Sequence, residues 1–279
     1  MGKVHERIAK ESGATLKVRT STFRGVPVLS HIAYAAGLQL LSCSLGLSAV
    51  LALLDTRSGL VRDHPPLAWR VAGVLTGPLA VLSLAAMLLG GAERWVWLGL
   101  AAPYAVMAMA ASWTWYRSAR ADRRRQCGRE AAILGVVAAL FASLGQTGGD
   151  GLPALALAAS LGTAALVGGL GVLALGGTLG SRRDVMEEEG ECDGIAVRAV
   201  ATGLGITLLA ASDVGRAVLL GGACCPVPVA LWLTCSLLVP LVLLVADRKA
   251  AVKSHPSLWC AACAAALIGQ FALQTTLVA

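Results

Sequence analysis

Long unbroken apolar blocks, rather than alternating faces, organise this chain. They run over about 32–54, 68–90, 95–115, 130–148, 153–179, 195–221, 226–246 and 257–278. A spanning helix needs about 20 mainly apolar residues, because roughly 30 Å of hydrocarbon is crossed at 1.5 Å per residue. The pattern predicts eight membrane-spanning helices. Seven is the alternative, because Arg198, Asp213 and Arg216 interrupt the sixth block, whereas 153–179 and 226–246 carry no charge. Helices are required because an open sheet edge leaves its backbone unsatisfied in lipid, and the strand alternation of a membrane barrel is missing. The expected fold is therefore all-α: a polar, basic N-terminal tail over 1–30, then an eight-helix transmembrane domain over 31–279.

Composition agrees with this and removes the alternatives. Of 279 residues, 57% are hydrophobic and 14% charged, and the mean hydropathy is +0.73. Soluble domains carry roughly 25% charged residues. A disordered chain and a soluble globular one are both excluded. The first apolar block is too long for a signal-peptide core and no cleavage site follows it, so no cleaved leader is expected.

Charge then sets the orientation. Lys and Arg are retained on the cytoplasmic side. The odd-numbered loops hold fourteen of them, among them Arg57, Arg62 and Arg70, the run Arg117 to Arg129, Arg182 and Arg183, and Arg248, Lys249 and Lys253. The even-numbered loops hold Arg94 and Arg216. Both termini are thereby expected outside the cytoplasmic membrane. The six basic residues of the tail pull the other way, and a miscount among the first three spans would put that tail inside. The formal charge of +7 reads as an address label rather than a nucleic-acid surface. The acidic run from Asp184 to Asp193 is placed in a solvated cytoplasmic loop, and the seven tryptophans mostly near span ends, as an aromatic belt requires.

Little in the membrane carries chemistry. Polar groups at depth are Gln39 in span 1, Arg198 and Asp213 in span 6, and Gln270 and Gln274 in span 8. Glu93 and Arg94 cap the tight turn between spans 2 and 3. His31, His64 and His255 sit at helix ends, which argues against haem held between helices. The eight cysteines form no disulfide framework, and the Cys260–Cys263 pair lacks the second pair a metal site needs. No metal site, catalytic triad or nucleotide motif is found. The glycines of span 5, from Gly162 to Gly180, lack the Lys-Ser/Thr of a phosphate loop and read as close helix packing.

Three short stretches carry a resemblance. Leu88-Leu89-Gly90-Gly91-Ala92-Glu93-Arg94 looks like the His-Leu-Gly-Arg-Pro-x-Arg at the outer end of the second span of the dimethyl sulfoxide reductase membrane-anchor family, to which polysulfide-reductase-type anchors are related. Gly162-Thr163-Ala164 with Gly168 and Gly169 is similar to that family's Gly-rich fifth helix, and Ile268-Gly269-Gln270-Phe271-Ala272-Leu273-Gln274 to the Gly-Glu-x-x-x-Arg of its eighth. Eight spans, outside termini and about 280 residues also resemble it. Leu88 stands where the family has histidine, and Gln270 and Gln274 where it has Glu and Arg.

The resemblance implies an anchor subunit without covalent or metal cofactor. It would hold an iron–sulfur subunit and a molybdopterin catalytic subunit and pass them electrons from menaquinol in anaerobic respiration. The implied quinol site comprises Glu93, Arg94, Gln270, Gln274, Gln39 and His31. Two other classes stay open: a secondary transporter built as four plus four helices, and an assembly scaffold with no pocket.

Overall fold

The computed structural model describes residues 28–57, 67–90, 99, 101–117, 120–147, 153–179, 186–219, 226–248 and 256–278. The helices are α1 (Val28–Arg57), α2 (Leu67–Gly90), α3 (Ala101–Tyr116), α4 (Ala121–Thr147), α5 (Pro153–Leu179), α6 (Met186–Leu219), α7 (Pro226–Leu233), a π segment (Thr234–Leu238), α8 (Val239–Arg248) and α9 (Pro256–Val278). No strand occurs among the described residues. Among the described residues, seven spans are long and apolar enough to cross a bilayer, α7, the π segment and α8 together forming one. The chain is a multi-pass membrane protein. The third predicted block appears as α3, whose 16 residues fall short of that length. The preceding residues 91–98 lie outside the described residues, as do residues 1–27 of the N-terminal tail, whose last three positions, 28–30, belong instead to α1.

α1 is the centre of the bundle. In its most apolar stretch 83% of residues are buried, against 22% over Val227–Ala246 at the periphery. It packs on α2, α4, α5, α6 and α9. Gly37 meets Met87 while Ser44 meets Thr76, so α1 and α2 run antiparallel. Gly128 meets Ala52 and Gly135 meets Leu45, so α4 is also antiparallel to α1. α5 runs parallel to α1. The two cross where a Cβ on Gly46 would overlap the Ala164 carbonyl, and one on Gly168 would overlap the backbone of Gly46. Without hydrophobic drive between helices in lipid, such close backbone approach supplies the packing.

The same pairing occurs twice. α1 packs on α2 and α4 as α5 packs on α6 and α9; α3 leans on α4 as α7 leans on α9. The cross-contacts match too, α1 with α9 answering α5 with α4, and α2 with α5 answering α6 with α1. Because α1 and α5 are parallel, this is the packing of two halves, α1–α4 and α5–α9, around an axis along the bundle. The sequence showed no convincing internal repeat. The symmetry breaks at α2–α3, an extensive contact, where α6 meets the π segment and α8 along a much shorter seam.

Two prolines shape the helices. Pro78 sits inside α2 and has no N–H for the Val74 carbonyl, four residues back. Pro240 follows the π segment, in which the Val239 N–H reaches the Thr234 carbonyl, five residues back.

Several expectations change. The acidic residues Glu187, Glu188, Glu189, Glu191 and Asp193 are part of α6 and not of a loop. Carboxylates early in a helix are favoured by its positive N-terminal pole. Trp69, Trp115 and Trp259 lie near helix ends as expected but are buried in the bundle, as is Trp232, whereas Trp113 near the end of α3 is exposed; Trp95 and Trp97 lie outside the described residues. Gly162 and Gly169 press against α6 as helix-packing glycines, whereas Gly176 has nothing within 4 Å of its Cβ position.

Candidate functional site: buried amides between the first and last helices

The polar atoms within the bundle divide into satisfied and unsatisfied sets. Around α1, α2, α3 and α4 hydroxyls serve as interhelical fasteners. Tyr104 and Ser44 hydroxyls share a 2.6 Å bond, Ser44 Oγ donates to the Thr76 carbonyl at 2.8 Å, Ser83 Oγ to Gly37 at 2.7 Å and Tyr34 to Ala142 at 3.1 Å. These groups are used up by packing and offer nothing to a ligand.

Ser48 Oγ on the same side is buried without a hydrogen bond, and the α1–α5–α9 side holds buried amides in that condition. Gln39 Nε2 donates to the Leu267 carbonyl of α9 at 3.2 Å, but its Oε1 is buried without a hydrogen bond. One turn along α9, Gln270 is fully buried, and neither its Oε1 nor its Nε2 is hydrogen-bonded. On α5, Ser160 Oγ is in the same condition. Each such atom costs about 1–3 kcal/mol of lost hydration. A buried primary amide with both ends open is therefore suited to a polar ligand group or ordered water.

Local sequence explains why Gln270 faces inward. Gly269 lets α9 approach the π segment, where a Cβ would lie 2.7 Å from Ser236 Oγ and 2.9 Å from Cys235 Cβ. Ser236 Oγ in turn donates to the Ala266 carbonyl at 3.3 Å. With α9 held so, its face of Ala262, Ala266, Gln270, Leu273 and Gln274 turns into the bundle, and all five are buried.

Of the six implied site residues, Gln39, Gln270 and Gln274 are thus core residues on the contacting helices α1 and α9. His31 is half-buried near the start of α1, about 12 Å along the axis from Gln39 at the helical rise per residue. Glu93 and Arg94 lie outside the described residues. Leu88, at the family histidine's place, is 39% exposed on the outer face of α2. Arg198 is exposed on α6. Cys260 and Cys263 are free thiols on α9, and no group of three metal-ligating side chains occurs among the described residues.

Sequence reasoning missed two residues. Ser160 was hidden in a charge-free span. Arg124 was counted with the orientation-setting arginines, yet it is 1% exposed. Its guanidinium lies 5.1 Å from the centre of the Trp115 ring. It borders a cavity of about 10 Å³ lined also by Ser48, Thr76 and Gly128, room for about one water. The signal was present: Arg124, Gly128, Ala131, Gly135, Ala138 and Ala142 recur at helical spacing, and this small-residue face is buried throughout.

The arrangement is one of a membrane bundle with a neutral hydrogen-bonding site. Amides bind and orient, and they neither accept nor supply a proton near neutral pH. Comparison with family models, curated proteins and solved structures gives no match for this chain.

Proposed function

We propose that this chain is the membrane-anchor subunit of a molybdopterin oxidoreductase of dimethyl sulfoxide reductase type in the cytoplasmic membrane. In this reading all eight apolar blocks cross the bilayer, α3 included, and both termini lie outside. An iron–sulfur subunit and a molybdopterin catalytic subunit dock on the outer face.

The observation that carries the reading is Gln270, fully buried with both amide ends open, one turn along α9 from the Leu267 carbonyl that Gln39 of α1 meets. It stands where the anchor family has an acidic residue, so a polar function at that place is retained without its charge. Menaquinol oxidation yields menaquinone, two electrons and two protons. Gln39 and Gln270 would hydrogen-bond the quinol oxygens and hold the ring, while the carboxylate of Glu93 would take up protons toward the outer face. Electrons would leave to the partner's nearest cluster.

The test is the purified complex with the Gln39→Leu/Gln270→Leu pair of substitutions. Menaquinol-dependent reduction is expected to fall at least tenfold while viologen-driven activity persists. Unchanged quinol activity, or purification of the native chain without iron–sulfur and molybdopterin subunits, overturns the reading.

The repeated packing of the two halves supports a second reading, a secondary transporter, since parallel repeats around an axis along the membrane normal build one class of these. Solute flux into proteoliposomes containing this chain alone would favour it.

A further inference from the structure

A groove runs on the outside of the bundle between α2 and α3. It encloses about 500 Å³ and is lined by Val74, Pro78, Met109, Ala110, Ser112, Trp113 and Tyr116. Its walls are apolar, and Pro78, Met109, Ala110, Trp113 and Tyr116 are all exposed. The proline helps to shape it, because α2 loses a helical bond there and Ser112 supplies the substitute.

Charge gathers at the end of the groove where α3 stops. Trp113 and Tyr116 stack with ring centres 5.6 Å apart, and the Arg117 guanidinium sits 4.6 Å over the Trp113 ring. The Arg117 N–H closes the last turn of α3 on the Trp113 carbonyl, and the next helix begins with N–H groups of Arg123 and Arg124 on the Arg120 carbonyl. Arg117, Arg120 and Arg123 are exposed, with Asp122 the opposing charge on that turn. An apolar trough that ends in stacked aromatic rings and then in cations matches a lipid that has acyl chains and a negative head.

We propose that this groove holds an anionic diacyl phospholipid, its acyl chains along Val74, Pro78, Met109 and Ala110 and its phosphate on Arg117 and Arg120. Basic clusters between membrane helices on the cytoplasmic side recognise such headgroups, with each Lys or Arg near the surface contributing about 1 kcal/mol. The indole and phenol rings of Trp113 and Tyr116 lie at the headgroup level, where aromatic rings prefer to be. The leaflet follows from the basic run Arg117 to Arg129, which spans the end of α3 and the first turns of α4 and is the densest in the chain, so in the expected orientation the lipid is one of the cytoplasmic leaflet. This site lies apart from Gln39 and Gln270 and does not depend on the quinol reading.

The full-length protein, delipidated in detergent, is titrated with phosphatidylglycerol, phosphatidylcholine of the same chains, and inorganic phosphate. Bound lipid is read by native mass spectrometry and stability by thermal unfolding. Phosphatidylglycerol is expected to stay bound and raise the melting temperature, with the other two at least tenfold weaker. Arg117→Ala/Arg120→Ala and the groove-filling Ala110→Trp should each weaken phosphatidylglycerol binding at least tenfold, with Arg198→Ala on α6 unchanged and Arg117→Lys/Arg120→Lys nearly so. Equal binding of phosphatidylcholine, equal protection by phosphate, unaltered binding in Ala110→Trp, or a lipid-free dimer filling the groove each overturns the proposal. If the alanine pair does not fold, Ala110→Trp and the lysine pair still decide it.

Discussion

Ser112 of α3 and Val74 of α2 are joined by a 2.7 Å hydrogen bond from hydroxyl to carbonyl. That carbonyl is the one Pro78 leaves without a helical donor, so a residue on the neighbouring helix repairs a break made in the first. In lipid no water is at hand to do so. Removing Ser112 alone is therefore expected to cost about 1 kcal/mol. In a Pro78→Ala background, where the backbone N–H returns, the same Ser112→Ala change should be nearly silent. Unfolding of the four proteins in mixed micelles measures the coupling, and additive effects would contradict the repair.

The α1–α5 crossing predicts opposite signs for two glycines. Gly46→Ala drives a methyl into the Ala164 carbonyl and should destabilise by about 1–3 kcal/mol. Gly176→Ala meets open space and should be neutral or stabilising, because alanine is the better helix former by up to about 1 kcal/mol. Thermal unfolding of both variants checks the pair.

Gln270 predicts a separation of stability from function. Its amide is buried with both ends open, so Gln270→Leu removes desolvated polar atoms and should leave the melting temperature unchanged or higher. Quinol binding, read by fluorescence quenching of a quinol analogue, should be lost at the same time. A fall in stability with binding retained would make Gln270 purely structural.

Neighbouring arginines should behave unlike one another. Arg124→Ala empties a buried place against Trp115 and is expected to cost about 1–3 kcal/mol. Arg123→Ala alters an exposed side chain and should leave the unfolding midpoint where it was. Equal effects on the midpoint would contradict the burial of Arg124.

The orientation has a direct readout. A reporter that is active only outside the cytoplasm, fused after Val278, should be active, and the same reporter placed at Arg120 should be silent. The reverse outcome would invert the orientation; a reporter ahead of α1 should also be active, and silence there alone would put the basic N-terminal tail inside, as its six Lys and Arg prefer, with one of the first three blocks not crossing.

Much of the architecture was legible in the chain because its causes are local. Hydrophobic length and the need to satisfy the backbone in lipid mark each span whatever its neighbours are, and α1, α2, α5 and α9 fall close to the apolar blocks, whereas α4 begins at Ala121, ahead of its block at 130, and takes in Arg123, Arg124, Arg125 and Arg129 that were expected in a loop. The acidic run at the start of α6 was misplaced because charge was taken as a sign of a loop, although a helix can extend beyond the bilayer. Gln39 and Gln270 were readable as candidates, being polar where polarity is costly. Ser160 and Arg124 were not, one being inconspicuous and the other sharing a run with exposed arginines.

By itself, then, the amino-acid order determined that this is a helical membrane protein, roughly where its spans lie, and which few polar groups enter them. Tertiary structure decided which way each helix is turned. Gly46 against Gly168 and Gly269 against the π segment set the rotations of α1, α5 and α9, and those rotations put Gln270 inside. The buried small-residue face of α4 likewise draws Arg124 in while Arg123 stays out. Rotation depends on contact between distant segments, and no single apolar block contains that information.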